Sequence, residues 1–487
     1  MNRRNLLWLG STAGALLAAG AYGRRRWFPP RRSRTLASVD ELTRRFVTSL
    51  DEETRAQVCV EYDHPLRQYH NRGVWGGGLA IDGGSFTWEQ RGILTDLLHA
   101  GLSEQGRERV PHEFFVQLGG VHRLNVLVCG DPFAPPCQML LTGPHLNLRL
   151  GGRSREGVAF GGPQVYGDQR GNERPGLPGN LYRFQHEIGR RLYRSLDPAQ
   201  QREALLPTAP IQTQIELQGR SGTFPGIPVA DLSDAGKSIA RELVDGILST
   251  YPPADVAYAR ECLEANGGLD ALFLSYYADG EVGGSGEYQI FRLEGPAAVF
   301  HFRGAPHVHA FVNVAMDGDS PLSVGELLGE NPTVLEGAGV KHLFERAMCH
   351  AEEAELARYP AGAVVGRLRK GPIRAGDVYT LESWQDRITV VEVRGSRLAR
   401  GRVEELRAGG QVPDAARLYR IATTSDVVSE GAAEQLGWVE SSRSGGLLRD
   451  ATIEYLRERV YGTRFSPQQH RPAPSRSSPA TRVAVGG

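Results

Sequence analysis

The chain has 487 residues, a length that accommodates two or three domains. Hydrophobic residues make up 40%, which excludes wholesale disorder, and 60 Gly with 29 Pro but no Gly-X-Y period exclude collagen. The formal net charge is zero, but residues 1–34 hold eight Arg and residues 463–487 four, neither with any acid. The stretch between carries 44 basic against 56 acidic side chains, a net of −12 that argues against a nucleic-acid groove.

Arg3-Arg4 precedes an apolar stretch from Leu6 to Tyr22, and Ala19-Gly20-Ala21 supplies a small-x-small cleavage pattern. This resembles a twin-arginine export signal, which implies an exported, periplasmic or otherwise extracytoplasmic protein. The alternative is an uncleaved anchor held by Arg24, Arg25, Arg26, Arg31, Arg32 and Arg34. No long apolar run follows Tyr22, so membrane contact is expected only through this segment. Residues 23–35, with Pro29-Pro30, read as a linker, and the Pro-, Ser- and Arg-rich stretch from Thr463 reads as a disordered tail.

Leu42, Phe46 and Leu50 fall on one helical face. Thr87 with Gln90 makes a capping box ahead of a stripe of Leu94, Leu97, Leu98 and Leu102. Residues 116–128 are strand-like, and 145–150 alternate strictly, with Leu146, Leu148 and Leu150 on one face. Ile239, Leu243 and Ile247 mark another helix. Three short strands are expected at 288–293, 297–302 and 308–314. The pattern restarts after a boundary near 318–333, with a helix over 334–356, strands near 361–368, 388–394 and 418–423, and a last helix near 446–460. The five Cys (59, 129, 137, 262, 349) are scattered without a CxxC, which argues against a disulfide framework or structural zinc. Cys129 and Cys137 either pair in an oxidising compartment or remain buried thiols.

The histidines carry the clearest chemical signal. His307 and His309 lie two apart on an expected strand, so both imidazoles share one face. His145 opens the alternating strand 145–150, sharing the non-core face with Asn147. If the two strands are neighbours, the three imidazoles can ligate one divalent transition metal, Zn, Cu or Fe, with Asn147 or a backbone carbonyl accepting from a ligand ring N–H. His301 is a weaker fourth candidate. The other reading is of hydrogen-bonded or surface histidines.

The run from Phe86 to Leu94, continuing to Leu102-Ser103, resembles a block of the bacterial and fungal family called domain of unknown function 3500. Further blocks recur in order: Gly143 to Leu148, Val158-Ala159-Phe160 with Gly167, and Tyr288 to Pro296 with His307-Val308-His309. The similarity spans about 40–315. The family usually doubles the His that stands here as Pro144-His145, and often follows its second pair with Arg-Asp where this chain has Phe311 to Val314. The resemblance implies a shared histidine set and no settled activity.

Residues 335–460 resemble the C-terminal, substrate-binding domain of secreted 5'-nucleotidases. The blocks are Gly366 to Arg369, Gly371-Pro372-Ile373, Gly376 to Tyr379, Trp384-Gln385-Asp386, Ile388 to Gly395, Tyr419 to Thr423 and Arg449 to Leu456. The resemblance implies that Arg369 meets a phosphate and Trp384 stacks on a base. The second stacking aromatic is missing, Ser429 to Ala433 standing in its place. The Asp-x-His, Gly-Asn-His and Gly-His-x-His elements of the nucleotidase's two-metal half are absent, Gly171-Asn172-Glu173 being an echo without the His.

The expected fold class is α+β, with two mixed α/β domains at 36–318 and 330–462 between the signal or anchor with its linker (1–35) and the tail (463–487). The expected function is a metal-dependent hydrolase or oxidoreductase acting on a small-molecule ligand, without 5'-nucleotidase activity. The alternative is a non-catalytic ligand-binding or envelope protein.

Overall fold

The computed structural model describes residues 37–460 apart from 69–77, 82–83, 117–122, 152–156, 170–179, 213–214, 282–283, 320–323, 361–365, 383–384, 399–413, 426 and 428–438. The expected export signal, linker and tail lie outside the described residues, as do Gly171 to Glu173, Ser429 to Ala433 and Trp384.

Helices and sheets are mixed throughout, as an α+β chain requires. Helix α1 (Val39–Ser49) starts where the Ser38 side chain accepts from the Glu41 N–H, and it buries Leu42, Phe46 and Val47. Helix α2 (Trp88–Ala100) begins with the capping box: the Gln90 N–H donates to Thr87 Oγ1 at 3.3 Å, and the Thr87 N–H to Gln90 Oε1 at 2.7 Å. The two helices pack together over one end of a 12-stranded sheet.

The centre of that sheet is antiparallel. In chain order its main strands are β1 (Asn125–Asp131), β2 (Ala134–Gly143), β3 (Leu146–Leu150), β4 (Gln164–Asp168), β5 (Phe273–Tyr277), β6 (Ile290–Gly295), β7 (Ala298–Arg303) and β8 (Val308–Val314). Their spatial order is β1-β2-β3-β4-β8-β7-β6-β5, with two-residue strands at either edge. Leu146, Leu148, Leu150, Phe300, Phe302, Val308, Ala310 and Val312 face the helices, among them α3 (Arg183–Arg194) and α4 (Asp234–Leu248). Phe291 stacks on Phe302 with centroids 4.9 Å apart.

Alternation sends Arg292, His301, Arg303, His309 and Asn313 to the opposite face. That face is buried as well, because Ile215 and Leu217 pack on Val165, Val299 and Phe311. Arg292, His301, His309 and Asn313 are therefore shielded from water, while Arg303 at the strand end is half-buried, which sets the chemistry of the site.

The expected strand over 116–128 is shorter: a helix runs over Glu104–Val116 and β1 begins at Asn125. The chain from Leu327 belongs with the later elements, since β9 (Leu327–Asn331) pairs with β10 (Gly371–Arg374). Helix α5 (Ala338–Glu352) falls inside the expected 334–356. Strands β11 (Arg387–Arg394) and β12 (Leu418–Thr424) pair as antiparallel neighbours, and β13 (Val439–Leu447), which the sequence did not suggest, completes a four-stranded sheet with Leu356–Ala357. Helix α6 (Leu448–Tyr455) packs on α5. Phe344, Met348, Ile373, Val378, Ala422 and Leu448 form a core separate from that of the large sheet. Gln68 connects the two regions: its Nε2 donates to Asp377 Oδ1 at 2.8 Å and its Oε1 accepts from the Val324 N–H at 2.8 Å. Among the described residues no helix is long and apolar enough to cross a membrane.

Candidate metal centre

His145 is a turn residue rather than the first residue of a strand. Strands β2 and β3 are joined by Pro144-His145, and Gly143 pairs with Leu146 across the hairpin. Pro144 suits the second place of such a turn, while the third requires a positive φ. His145 takes it at +59°, where Gly or Asn is the usual choice.

The strands carrying His145 and His309 are not neighbours, contrary to the condition that the sequence set for a shared site. Strand β4 lies between them. Leu146 pairs with Tyr166, which places His145 beside Gly167, and Gly167 pairs with His309. A Cβ at Gly167 would stand 3.2 Å from His309 Cδ2 and 2.2 Å from the Val308 carbonyl oxygen. The missing side chain lets the rings meet over the intervening strand.

They do meet. Ring centroids are 5.0 Å apart for His145–His307 and for His145–His309, and 4.6 Å for His307–His309. One nitrogen from each ring can be chosen so that all three lie within 4.8 Å of one another, and His307 Nε2 is 3.1 Å from His309 Nε2. Tetrahedral coordination at 2.0–2.1 Å separates ligand nitrogens by about 3.3 Å, so this group could hold one ion after small side-chain adjustments, and three imidazoles would leave a fourth position to another ligand.

Electrostatics favours neutral rings. Burial is the largest cause pushing the His145 pKa down to about 4 and that of His307 to about 3, and the Arg303 guanidinium adds to both. Buried His309 is held well below the usual range by the same two causes. The Asp168 carboxylate opposes the shift at His145 and His307, and its Oδ2 accepts from the Leu181 N–H at 2.7 Å. Neutral imidazoles are the form that binds a metal.

Arg303 and Gln212 surround the set. Arg303 Nη2 is 3.0 Å from His307 Nε2 and 3.2 Å from His309 Nδ1. The Gln212 amide lies 2.6 Å from His309 Nδ1. With its nitrogen toward the ring, its oxygen accepts from Arg303 Nε at 2.9 Å and also from Nη1; the opposite orientation turns the amide NH2 against the guanidinium. Neither residue was singled out from the sequence. Arg303 faces His309 by cross-strand register, which shows only once β7 and β8 are paired, and Gln212 lies 97 positions from His309 with no local signal.

The remaining candidates lie elsewhere. His301 shares this sheet face but is not part of the group; Arg292 Nε donates to its Nδ1 at 3.3 Å, and its Nε2 has no partner. Asn147 is fully buried, and neither its Oδ1 nor its Nδ2 makes a hydrogen bond, so it does not accept from a histidine ring as the sequence suggested. Arg369 Nη1 donates to the Leu217 carbonyl. Cys129 is a free thiol whose pKa burial pushes up to about 12.

The family model described as "Protein of unknown function (DUF3500)" matches residues 32–319. The chain belongs to this family. The histidine centre lies wholly within the matched region. Two solved structures show partial likeness. A 5'-nucleotidase precursor from Thermus thermophilus is 12% identical with a TM-score of 0.23, covering 38% of this chain and 51% of that one. A putative 5'-nucleotidase from Staphylococcus aureus, in complex with alpha-ketoglutarate, is 10% identical with a TM-score of 0.21, covering 35% and 48%. The chain thus spans about half the length of these structures, and likeness at this level carries no argument about fold or activity. No curated protein matches the chain.

Proposed function

We propose that His145, His307 and His309 hold a divalent transition metal, and that the protein uses its open position as a hydrolytic or oxidative centre on a small-molecule substrate. One observation carries this reading: three imidazoles from a turn and a separate strand offer nitrogens within 4.8 Å of one another, with His145 and His309 buried and His307 half-buried. Ordinary polar histidines do not need a left-handed turn residue and a glycine in the intervening strand in order to touch. A metal at this place supplies Lewis acidity and lowers the pKa of a bound water. The chain's own residues keep the imidazoles neutral, and the Gln212 amide, 2.6 Å from His309 Nδ1, bears on which nitrogen of that ring carries the proton.

The C-terminal region is proposed to serve as a ligand-binding or adaptor unit without nucleotidase chemistry. The engagement of Arg369 with the Leu217 carbonyl supports this, because that guanidinium group is already committed within the chain. The N-terminal segment is proposed to direct export.

Metal analysis of protein purified from a native-type exporting host tests the central claim. The expected result is about one equivalent of Zn, Cu or Fe per chain in the wild type and loss of most of it in His309→Ala, since one missing ligand of three leaves a weak two-coordinate site. A wild-type protein without metal that also fails to take up added Zn, Cu or Fe refutes the reading.

A further inference from the structure

We infer that the C-terminal region belongs to the metal centre: Arg367 and Arg369 are positioning residues that hold the covering segment 215–219 on the sheet and so slow the escape of the metal. This rests on the metal reading above and adds a control on that site.

The inner side of the segment is tied to the polar face of the large sheet. Ile215 and Leu217 pack on Val165, Val299 and Phe311. Asn313 Nδ2 donates to the Ile215 carbonyl at 2.6 Å, Gln218 Nε2 to Glu294 Oε1 at 2.8 Å, and the Gly219 N–H to the Pro296 carbonyl at 3.0 Å. Three positions before Ile215, the Gln212 amide stands 2.6 Å from His309 Nδ1. His309, Phe311 and Asn313 share one face of β8, so the segment continues along that strand from the point where Gln212 meets the metal centre. Lifting it uncovers the face on which His309 lies.

The outer side is held from the C-terminal region. Arg369 Nη1 donates to the Leu217 carbonyl, and Arg367 Nη2 is 3.6 Å from Glu216 Oε2. The reason that both arginines reach the segment is local. Leu368, between them, exchanges backbone hydrogen bonds of 2.8 and 2.9 Å with Leu335 and is buried in the core that holds Phe344 and Ile373. In extended chain the residues on either side of an inward Leu turn to the opposite face. Asn331 Nδ2 donates to the Arg369 carbonyl at 3.1 Å and fixes the backbone there. The two guanidinium groups are thus mounted on one core and grip the cover of the other.

Arg369 carries more of the grip. Its bond is charge-assisted, whereas Arg367 and Glu216 are both partly exposed and stand beyond hydrogen-bond distance. Release of a metal from a covered site proceeds through local opening, and opening this cover breaks the Arg369 bond.

The test uses the full-length chain loaded with Co2+, whose visible absorption reports coordination, and mixed with excess EDTA. The Arg369→Met variant, which keeps the length of the stem and loses the donor, should release Co2+ about tenfold faster, the size of one hydrogen bond to a charged group. Its Co2+ absorption before mixing should match the wild type, since no ligand has changed. Arg369→Lys, which keeps a donor for the carbonyl, should restore most of the slow release. Amide exchange over 215–219 in the metal-free chain should quicken in Arg369→Met and not in Arg369→Lys. If Arg369→Met does not fold, Glu216→Gln is read in its place, with an acceleration of about threefold, as befits a partly exposed pair. Release as slow as in the wild type overturns this proposal and leaves the metal reading standing, even where amide exchange has quickened. A Lys variant as fast as the Met variant overturns it too, since the effect would then come from a disturbed C-terminal fold. Absence of any Co2+ spectrum in the wild type removes the metal reading and this proposal together.

Discussion

Lowering the pH from 7 to 5 should destabilise the metal-free protein through its buried histidines, by an amount the structure sets. In the unfolded chain each His titrates near 6.5. In the folded chain His145 titrates at about 4, and His309 well below the usual value. Between pH 7 and 5 the unfolded state therefore takes up protons that the folded state refuses. The sign follows: stability is full above pH 6.5 and is lost as pH falls toward the folded values. Each such histidine contributes about 2 kcal/mol over this window. The double variant His145→Gln/His309→Gln should remove about 4 kcal/mol of the pH dependence, a large share of a typical total stability. Denaturant unfolding of EDTA-treated wild type and double variant at pH 7 and pH 5 measures it. Only the difference in pH dependence is compared, which cancels the loss of packing that both pH values share. Equal pH dependence in the two proteins would refute the claim that these rings are neutral and desolvated.

Gly167→Ala should lower stability by about 2–4 kcal/mol, because the new Cβ meets the Val308 carbonyl oxygen at 2.2 Å, and should also weaken metal uptake by displacing His309. Thermal unfolding and Co2+ titration check the two effects, and an unperturbed variant would show that β4 does not need a bare backbone there. Replacing Arg3 and Arg4 with Lys should leave the protein in the cytoplasm, since the export receptor reads paired guanidinium groups. Fractionation of expressing cells decides it, and normal export of the double-Lys variant would remove the signal reading.

Periodicity alone was enough to place much of the regular structure. Leu42 and Phe46, the Thr87–Gln90 capping box, the alternation of Leu146, Leu148 and Leu150, and the strands ending near Leu293, Phe302 and Val314 all follow from residue spacing. These features depend on neighbours within a turn or two, which is why a linear reading captures them. Strand β13 escaped because Val439–Leu447 is rich in Ser and Gly, so its place in the sheet comes from pairing with β11 rather than from its own preference. The two histidines of β8 were legible as a pair because a strand repeats every two residues.

What the sequence could not supply was the partner of that pair. It offered His145 as a candidate on a neighbouring strand, and the structure reaches the same residue by another route. A left-handed turn swings His145 inward, and Gly167 on the strand between removes the obstacle. Arg303 and Gln212 were invisible for the same reason: their positions depend on register and on contacts across 97 positions of chain. Local sequence determines which face a side chain takes. Which faces come together, and whether water is excluded when they do, is decided only when the strands pair and the covering segment around Ile215 and Leu217 closes over them.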